Sequence, residues 1–157
     1  MKLADALIST CAVIMTLLAM GCGVQAREGS EVSEGELDSL VTVVDGLGRE
    51  VTVPFDPEHV ICSGPGCLRL LVYLQAQDRI VAVDDMEQRR PEFDARPYAL
   101  ANPWFREMPV FGEFRGHDNP ELIVALEPQP QVIFKTYPLM GMDPLELQDK
   151  TGIPVIV

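Results

Sequence analysis

Residues 112–132, GEFRGHDNPELIVALEPQPQV, place a loop of ligand-capable side chains directly before a capped helix, and a buried strand follows. Asn119 is a favourable N-cap and Pro120 a favourable first helical residue. Glu121 then lies in the first turn, where the helix dipole favours a carboxylate. The prolines after the apolar face end the helix, and the apolar run from Val132 predicts a strand.

The same alternation of strands and helices continues on both sides of this stretch. A hairpin turn at residues 45–48 separates two alternating runs, which predicts an N-terminal β-hairpin. Further strands are predicted at residues 59–63, 79–83, 108–111, 131–136 and 153–157, and helices at residues 67–77, 120–127 and 143–150. The order predicts an α/β fold: a β-hairpin followed by a parallel sheet with helices on both faces. Right-handed crossovers place the ligand-facing loops at the carboxyl ends of the strands.

This organisation resembles the periplasmic binding proteins for iron-siderophores, haem and cobalamin that feed ABC importers. That family has a helix of the form Asn-x-Glu-x-Ile-x-Ala-Leu before a proline and a hydrophobic strand, matched here by Asn119, Glu121, Ile123, Ala125 and Leu126. Many members begin with a hairpin of the form Asp-x-x-Gly-Arg-x-Val, matched here by Asp45, Gly48, Arg49 and Val51. The resemblance covers residues 40–157, which correspond to the first lobe of a two-lobed binding protein, so we expect a truncated chain.

The resemblance implies a non-enzymatic, extracytoplasmic substrate-binding component of an ABC importer. The implied ligand is a ferric chelate (a siderophore complex), haem or cobalamin, and no intrinsic cofactor is implied. The implied partners are the permease and its ATPase. In the family, the glutamate at the position of Glu121 lies on the outer surface of the lobe and pairs with arginines of the permease. The alternative is a glutamate that only complements the helix dipole.

Length and charge limit the classes of function that the chain can have. The chain has 157 residues, 47% of them hydrophobic, which is enough for one globular domain with a core. Its formal net charge of −12 argues against nucleic-acid binding, which requires a basic face.

The N-terminus is predicted to be an export signal, covering residues 1–26. Its apolar run ends in Ala-Met-Gly-Cys, which resembles a lipobox whose Cys22 would become lipidated and hold the domain at a membrane surface. Cleavage after Ala26 and an uncleaved anchor helix are the alternatives. Residues 27–39 are polar and acidic, and we interpret them as a tether.

The predicted ligand-binding residues lie in the loops of the lobe, mostly at strand ends: Ser63, Gly64, Trp104, Phe114, Arg115, Lys135 and Tyr137. Glycine permits close backbone approach to a ligand, aromatic rings can stack on a macrocycle, and arginine is a bidentate donor to carboxylate or hydroxamate oxygens. The alternatives are a tight turn at Ser63, core packing of Trp104 and a solvated strand end at Lys135.

Two cysteines, Cys62 and Cys67, fall in the folded part of the chain. Their spacing leaves three alternatives open: buried free thiols, a disulfide, or metal ligation. The sequence has two histidines, His59 and His117, so a metal site built on the cysteines would lack partners, and the metal content stays unknown.

Two competing functions remain. The first is a single-lobe binding or sensory module of the same fold. The second is an exported α/β metal-dependent enzyme, which would need Asp84, Asp85 and His117 to converge. Arginines next to the two aspartates suggest instead that the carboxylates cap a helix or form ion pairs.

Overall fold

The structure, a computed structural model, describes residues 39–89 and 95–157. The predicted signal of residues 1–26, with the lipobox Cys22, lies outside the described residues, as do residues 27–38 of the predicted tether. These features stay predictions.

The strands of the two described ranges are β1 (Leu40–Val44), β2 (Glu50–Pro54), β3 (Val60–Ser63), β4 (Val83–Asp84), β5 (Val110–Glu113), β6 (His117–Asp118), β7 (Val132–Lys135) and β8 (Val155–Ile156). β1 and β2 form the predicted antiparallel hairpin, and β3, β7 and β8 form a parallel sheet in the order β3-β7-β8. β4 and β5 are parallel, and β6 returns antiparallel beside β5. A parallel bridge between Val60 and Ile80 connects β3 to the segment before β4.

The α-helices are α1 (Cys67–Tyr73), α2 (Pro97–Ala101), α3 (Pro120–Val124) and α4 (Pro144–Thr151). Short 3₁₀ helices cover Gln77–Arg79, Asp85–Glu87 and Pro103–Glu107. As predicted, Asn119 caps α3, its side chain accepting a hydrogen bond from the N–H of Leu122 at 3.1 Å. None of the helices within the described residues is both long and apolar enough to cross a membrane.

Two helices are shorter than predicted, and one predicted loop contains a strand. α1 ends at Tyr73 rather than at residue 77, because Gln75 has a left-handed backbone with φ 61°. The N–H groups of Gln75 and Ala76 donate to the carbonyls of Val72 and Leu71, which closes the end of the helix. α3 ends at Val124 rather than at residue 127, since a proline at position 128 disfavours helical geometry just before it. Residues 112–118 are not a loop throughout, because their two ends pair as β5 and β6.

The core lies on both faces of the sheet, as strand geometry requires. Val60 and Cys62 of β3 pack with Val132 of β7 against α1 and the hairpin. The intervening residues Ile61 and Ile133 pack on the opposite face against α3 and α4. Successive side chains of a strand point to opposite faces, so each strand contributes to both clusters. The predicted parallel α/β fold with helices on both faces is confirmed.

The hairpin turn is locked by an ion pair that also fixes it to β8. Arg49 Nε and Nη2 donate to Asp45 Oδ2 at 2.9 and 2.6 Å, and the N–H groups of Leu47 and Arg49 donate to Oδ1. Arg49 Nη2 also donates to the Val155 carbonyl at 2.9 Å. The N–H of Gly46 donates to the carbonyl of residue 157 at 2.7 Å, and a Cβ on Gly46 would crowd that oxygen. The Asp-x-x-Gly-Arg pattern therefore docks the hairpin on the sheet.

We predict that Asp45→Asn destabilises the fold at neutral pH but not in strong acid. The Arg49 guanidinium lowers the pKa of the Asp45 carboxyl to about 2, below the ordinary value near 3.8. A lowered carboxyl pKa contributes stability above the unfolded value, and that stability is lost as the pH falls through the folded value. Urea unfolding of the variant and the unmodified chain should differ at pH 7 and converge near pH 2.

The matched control is Asp56→Asn, because Asp56 pairs with Arg79 but its side chain is 71% exposed. We expect this control to change stability little at any pH. A loss at pH 7 that is no larger for Asp45→Asn than for Asp56→Asn would contradict the role assigned to the turn.

Candidate functional site

The carboxyl ends of the parallel strands bring four predicted ligand loops to one edge. These loops begin after Ser63 of β3, Asp84 of β4, Glu113 of β5 and Lys135 of β7. Backbone contacts tie the loops together. The Thr136 N–H donates to the Ser63 carbonyl at 2.9 Å, and the Phe114 N–H donates to Asp85 Oδ1 at 2.7 Å. The four loops are therefore hydrogen-bonded in two pairs, the loop after β3 with the loop after β7 and the loop after β4 with the loop after β5.

A buried ionic cluster lies directly beneath this edge. Lys135 Nζ donates to Asp118 Oδ2 at 2.5 Å, and Ser63 Oγ donates to Asp118 Oδ1 at 2.5 Å. Lys135 Nζ also lies 3.3 Å from the Gly116 carbonyl oxygen and 3.4 Å from Ser63 Oγ. The side chains of Lys135 and Asp118 are 0% and 1% exposed. Lys135 is thus neither a solvated strand end nor a cation at the surface in this structure.

The loop between β5 and β6 presents Phe114 and Arg115 in a constrained backbone. Arg115 has φ 71° and Gly116 has φ 76°, both in the left-handed region. That conformation costs a non-glycine residue about 1–2 kcal/mol. The Arg115 guanidinium lies 5.8 Å from the centroid of the half-buried Phe114 ring, and the Arg115 side chain reaches solvent. The two residues form an amphipathic pair at the edge.

The loop after β7 has the same kind of constraint. Tyr137 has φ 62° and is 60% exposed, and Leu139 is 99% exposed. The loop packs tightly on its neighbours, since a Cβ on Gly64 would lie 2.4 Å from the Thr136 carbonyl oxygen. Gly64 is therefore placed where its missing side chain allows two loops to touch. It is buried beneath the edge rather than exposed on it.

Cys62 and Cys67 form a disulfide with their Cα atoms 5.5 Å apart. Of the three alternatives that the sequence leaves open, the structure has the disulfide, and both cysteines are buried. The bond closes the turn that follows Ser63, so it constrains the loop at the end of β3. An oxidising compartment is where such bonds persist.

Trp104 is placed apart from the loops at the carboxyl edge. It lies in the 3₁₀ helix Pro103–Glu107, which leads to the amino end of β5. Its ring contacts Phe105 edge-on at 5.7 Å between centroids, and Phe105 is fully buried in the core. Trp104 itself is 43% exposed, so its role as a ligand residue stays a prediction.

Glu121 opens α3 and lies exposed in an open groove of about 800 Å³. Two residues of α4, Glu146 and Lys150, line the same groove and pair with each other at 2.7 Å. The hydrogen bond that Lys150 donates to the Glu146 carboxylate raises the pKa of Lys150, and the charge of Glu121 adds to this effect. No ion pair of Glu121 occurs within the described part of the chain. Its carboxylate is thus accessible to a cationic partner.

The two adjacent aspartates serve the local structure, as the alternative interpretation predicts. Asp84 caps the 3₁₀ helix Asp85–Glu87 by accepting a hydrogen bond from the N–H of Met86 at 3.1 Å. Asp85 forms an ion pair with Arg89, and its carboxylate also accepts a hydrogen bond from the N–H of Phe114. Across residues 39–89 and 95–157, no three His, Cys, Asp or Glu side chains form a group that could hold a metal ion. Asp84, Asp85 and His117 therefore do not make the cluster that a metal-dependent enzyme would need.

Asp118 is the member of the buried ionic cluster that the sequence pattern did not indicate. It stands 55 residues from Ser63 and 17 from Lys135, so no local pattern connects the three. One signal was available. A lysine and a serine each end an apolar strand, and the parallel register of β3 and β7 puts Ser63 opposite Lys135. A buried lysine at that position requires an acidic partner.

No protein-family model matches the sequence, and no curated protein matches it significantly. Solved structures do share its fold. The ABC transporter solute binding protein from Sulfurospirillum deleyianum DSM 6946 has a TM-score of 0.54 and 21% identity, and the match covers 73% of this chain and 35% of that one. The molybdate periplasmic binding protein MolA of Haemophilus influenzae has a TM-score of 0.57 and 23% identity, covering 74% and 33%. The heme binding protein HmuT has a TM-score of 0.50 and 17% identity, covering 75% and 34%.

These likenesses show the fold. The chain has the α/β fold found in part of ABC-transporter solute-binding proteins, and it spans about a third of the length of each of the three.

We predict that Asp84→Asn stabilises the protein at pH 7 and leaves its stability unchanged at pH 4. Burial raises the pKa of Asp84 to about 6. The neighbouring carboxylates of Glu87 and Asp85 also raise this pKa, and the charge of Arg96 lowers it. A raised carboxyl pKa costs stability once the pH exceeds the unfolded value near 3.8, and the cost is complete above the folded value. Asparagine keeps the N-cap acceptor without the charge.

Thermal unfolding of both proteins at pH 4 and pH 7 tests this expectation. The control is Asp149→Asn on the exposed face of α4, which should show no such pH-dependent gain. Equal stability of Asp84→Asn and the unmodified chain at pH 7 would contradict the prediction.

Proposed function

We propose that the chain is the substrate-binding component of an ABC importer and that its ligand contacts the carboxyl edge of the sheet. The observation that carries the proposal is the backbone conformation of Arg115 and Tyr137. Both have left-handed φ values at this edge, in loops that the sequence predicts to bind ligand. Residues held in costly backbone conformations concentrate at functional sites, because the surrounding structure must enforce them.

The proposed ligand is a metal complex with an apolar or aromatic surface: a ferric chelate, haem or cobalamin. Phe114, Tyr137 and Leu139 supply apolar and aromatic surface at the edge. Among the predicted ligand residues, Arg115 supplies the cation that reaches solvent, because Lys135 is buried against Asp118. A compact oxyanion removed from water needs several donors around it. The edge suits a broad ligand with a few oxygen acceptors better.

Solved structures with this fold support a role in import. One is described as a molybdate periplasmic binding protein and another as a heme binding protein. By analogy, the partners proposed here are a permease and its ATPase, and Cys22 is the proposed lipid attachment site that holds the domain on the extracytoplasmic face of a membrane. A single-lobe binding or sensory module of the same fold is the second candidate.

We predict that Arg115→Gly and Tyr137→Gly each weaken haemin binding while stabilising the protein. Glycine accepts a left-handed backbone, so each change should gain about 0.5–1 kcal/mol in the free energy of unfolding. Loss of the guanidinium or the ring should weaken binding about three- to tenfold. Absorbance titration with haemin and urea unfolding measure the two effects on the same samples.

Gln75→Gly is the matched control. Gln75 has φ 61° at the end of α1, away from the predicted loops, so this variant should gain stability with no change in haemin affinity. Parallel titrations use a ferric hydroxamate, cobalamin and molybdate. Binding of molybdate alone would overturn the ligand class proposed here, and unchanged affinity in both loop variants for every ligand bound would overturn the site.

Glu121→Ala should reduce ligand uptake by cells or vesicles that contain the permease and ATPase, while ligand affinity stays unchanged. The carboxylate is exposed and available for a permease arginine, and loss of one such interfacial charge predicts roughly a tenfold fall in uptake. Glu127→Ala, which removes an exposed glutamate just beyond α3, is the control. Equal uptake with Glu121→Ala and the unmodified chain would remove the docking role.

A further inference from the structure

Lys135 contacts residues from two other parts of the carboxyl edge, the end of β3 and the turn that leads from β5 into β6. Its Nζ lies 2.5 Å from Asp118 Oδ2 in β6, 3.4 Å from Ser63 Oγ at the end of β3, and 3.3 Å from the Gly116 carbonyl oxygen in the loop between β5 and β6. All three donor protons of an ammonium group can therefore be used. Lys135 itself ends β7, so three chain segments meet at one buried atom.

The cluster acts on the backbone next to Arg115. The Gly116 carbonyl accepts from Lys135 Nζ on one side and from the N–H of Met142 at 2.9 Å on the other. A Cβ on Gly116 would lie 2.9 Å from Lys135 Nζ, so the lysine approaches the peptide as closely as glycine allows. This carbonyl belongs to the residue after Arg115, whose left-handed backbone sets the direction in which the Arg115 side chain leaves the turn.

We propose that Lys135, held by Asp118 and Ser63, is a positioning residue for ligand binding: it fixes the left-handed turn that aims Arg115 at the ligand. The proposal rests on the proposed function for the ligand and reassigns Lys135 from contact with the ligand to an action through Gly116. The ion pair supplies the charge balance that permits a lysine to be buried there. The hydrogen bond to Gly116 supplies the positioning.

A pair of variants separates positioning from stability. Lys135→Met leaves the Asp118 carboxylate buried without its cation, so we expect a large loss of thermal stability. The double variant Lys135→Met/Asp118→Asn removes both charges, so most of that stability should return. Methionine cannot donate to the Gly116 carbonyl in either variant. The turn should therefore stay loose in both.

Hydrogen exchange of the full chain without ligand is the first readout. In the double variant, amides of residues 112–118 and 136–142 should exchange at least about tenfold faster than in the unmodified chain, while those of the β1–β2 hairpin stay unchanged. Ser63→Ala keeps the ion pair and the donor to Gly116, so it should show a smaller effect. Lys150→Met, which removes an exposed lysine from a surface pair, is the control.

Haemin titration is the second readout. Affinity should fall about tenfold in the double variant although its stability has returned, and Lys150→Met should bind normally. If slow loop exchange and haemin affinity return together with stability in the double variant, Lys135 has only a structural role and the proposal is overturned. If the double variant does not fold, Lys135→Met/Asp118→Leu replaces it, because it removes both charges and also lacks the donor to Gly116. Unchanged loop exchange in that variant overturns the proposal. If the unmodified chain binds no haemin, the haemin assignment fails, and the exchange experiment still decides the positioning role.

Discussion

The parallel pairing of β3 with β7 is the constraint on which the rest of the structure depends. Its register places Ser63 opposite Lys135, at the last position of both strands. The residues before that position alternate between two apolar clusters and hold the helices on both faces. The two residues at that position are polar, and both donate hydrogen bonds to the Asp118 carboxylate. One register thus aligns the residues of the core and the buried ion pair beneath the carboxyl edge of the sheet.

The carboxyl edge of the sheet has a tightly packed layer beneath it and exposed side chains above it. Beneath it lie a buried ion pair, a disulfide between Cys62 and Cys67, and glycines that let neighbouring loops touch. Above it, Arg115 and Tyr137 have backbone conformations that cost free energy. The rigid layer offsets this cost by leaving the loops few alternative arrangements. For the proposed ligand, a pre-formed edge would lose less conformational entropy on binding.

A separate constraint joins the hairpin to the far side of the sheet. The Asp45–Arg49 pair closes the turn and reaches β8 through the Val155 carbonyl. The residues of this motif are close in sequence, so the hairpin could be predicted from them directly. The sequence could not indicate which strand end the hairpin would contact, because the Val155 carbonyl is a backbone group without a side-chain signature.

Local patterns in the sequence were sufficient for the α/β order of elements, the hairpin, and the Asn119 cap of α3, because capping and hydrophobic periodicity involve neighbours in the chain. The end of α1 lies in a left-handed turn at Gln75, where no glycine marks it in the sequence, so only the structure decided it. Tertiary structure also decided the role of Lys135. A lysine at a strand end resembles a solvated cation until the partner that neutralises it is known, and that partner, Asp118, comes from another strand. Charges from distant segments become a buried pair only when the strands have been aligned.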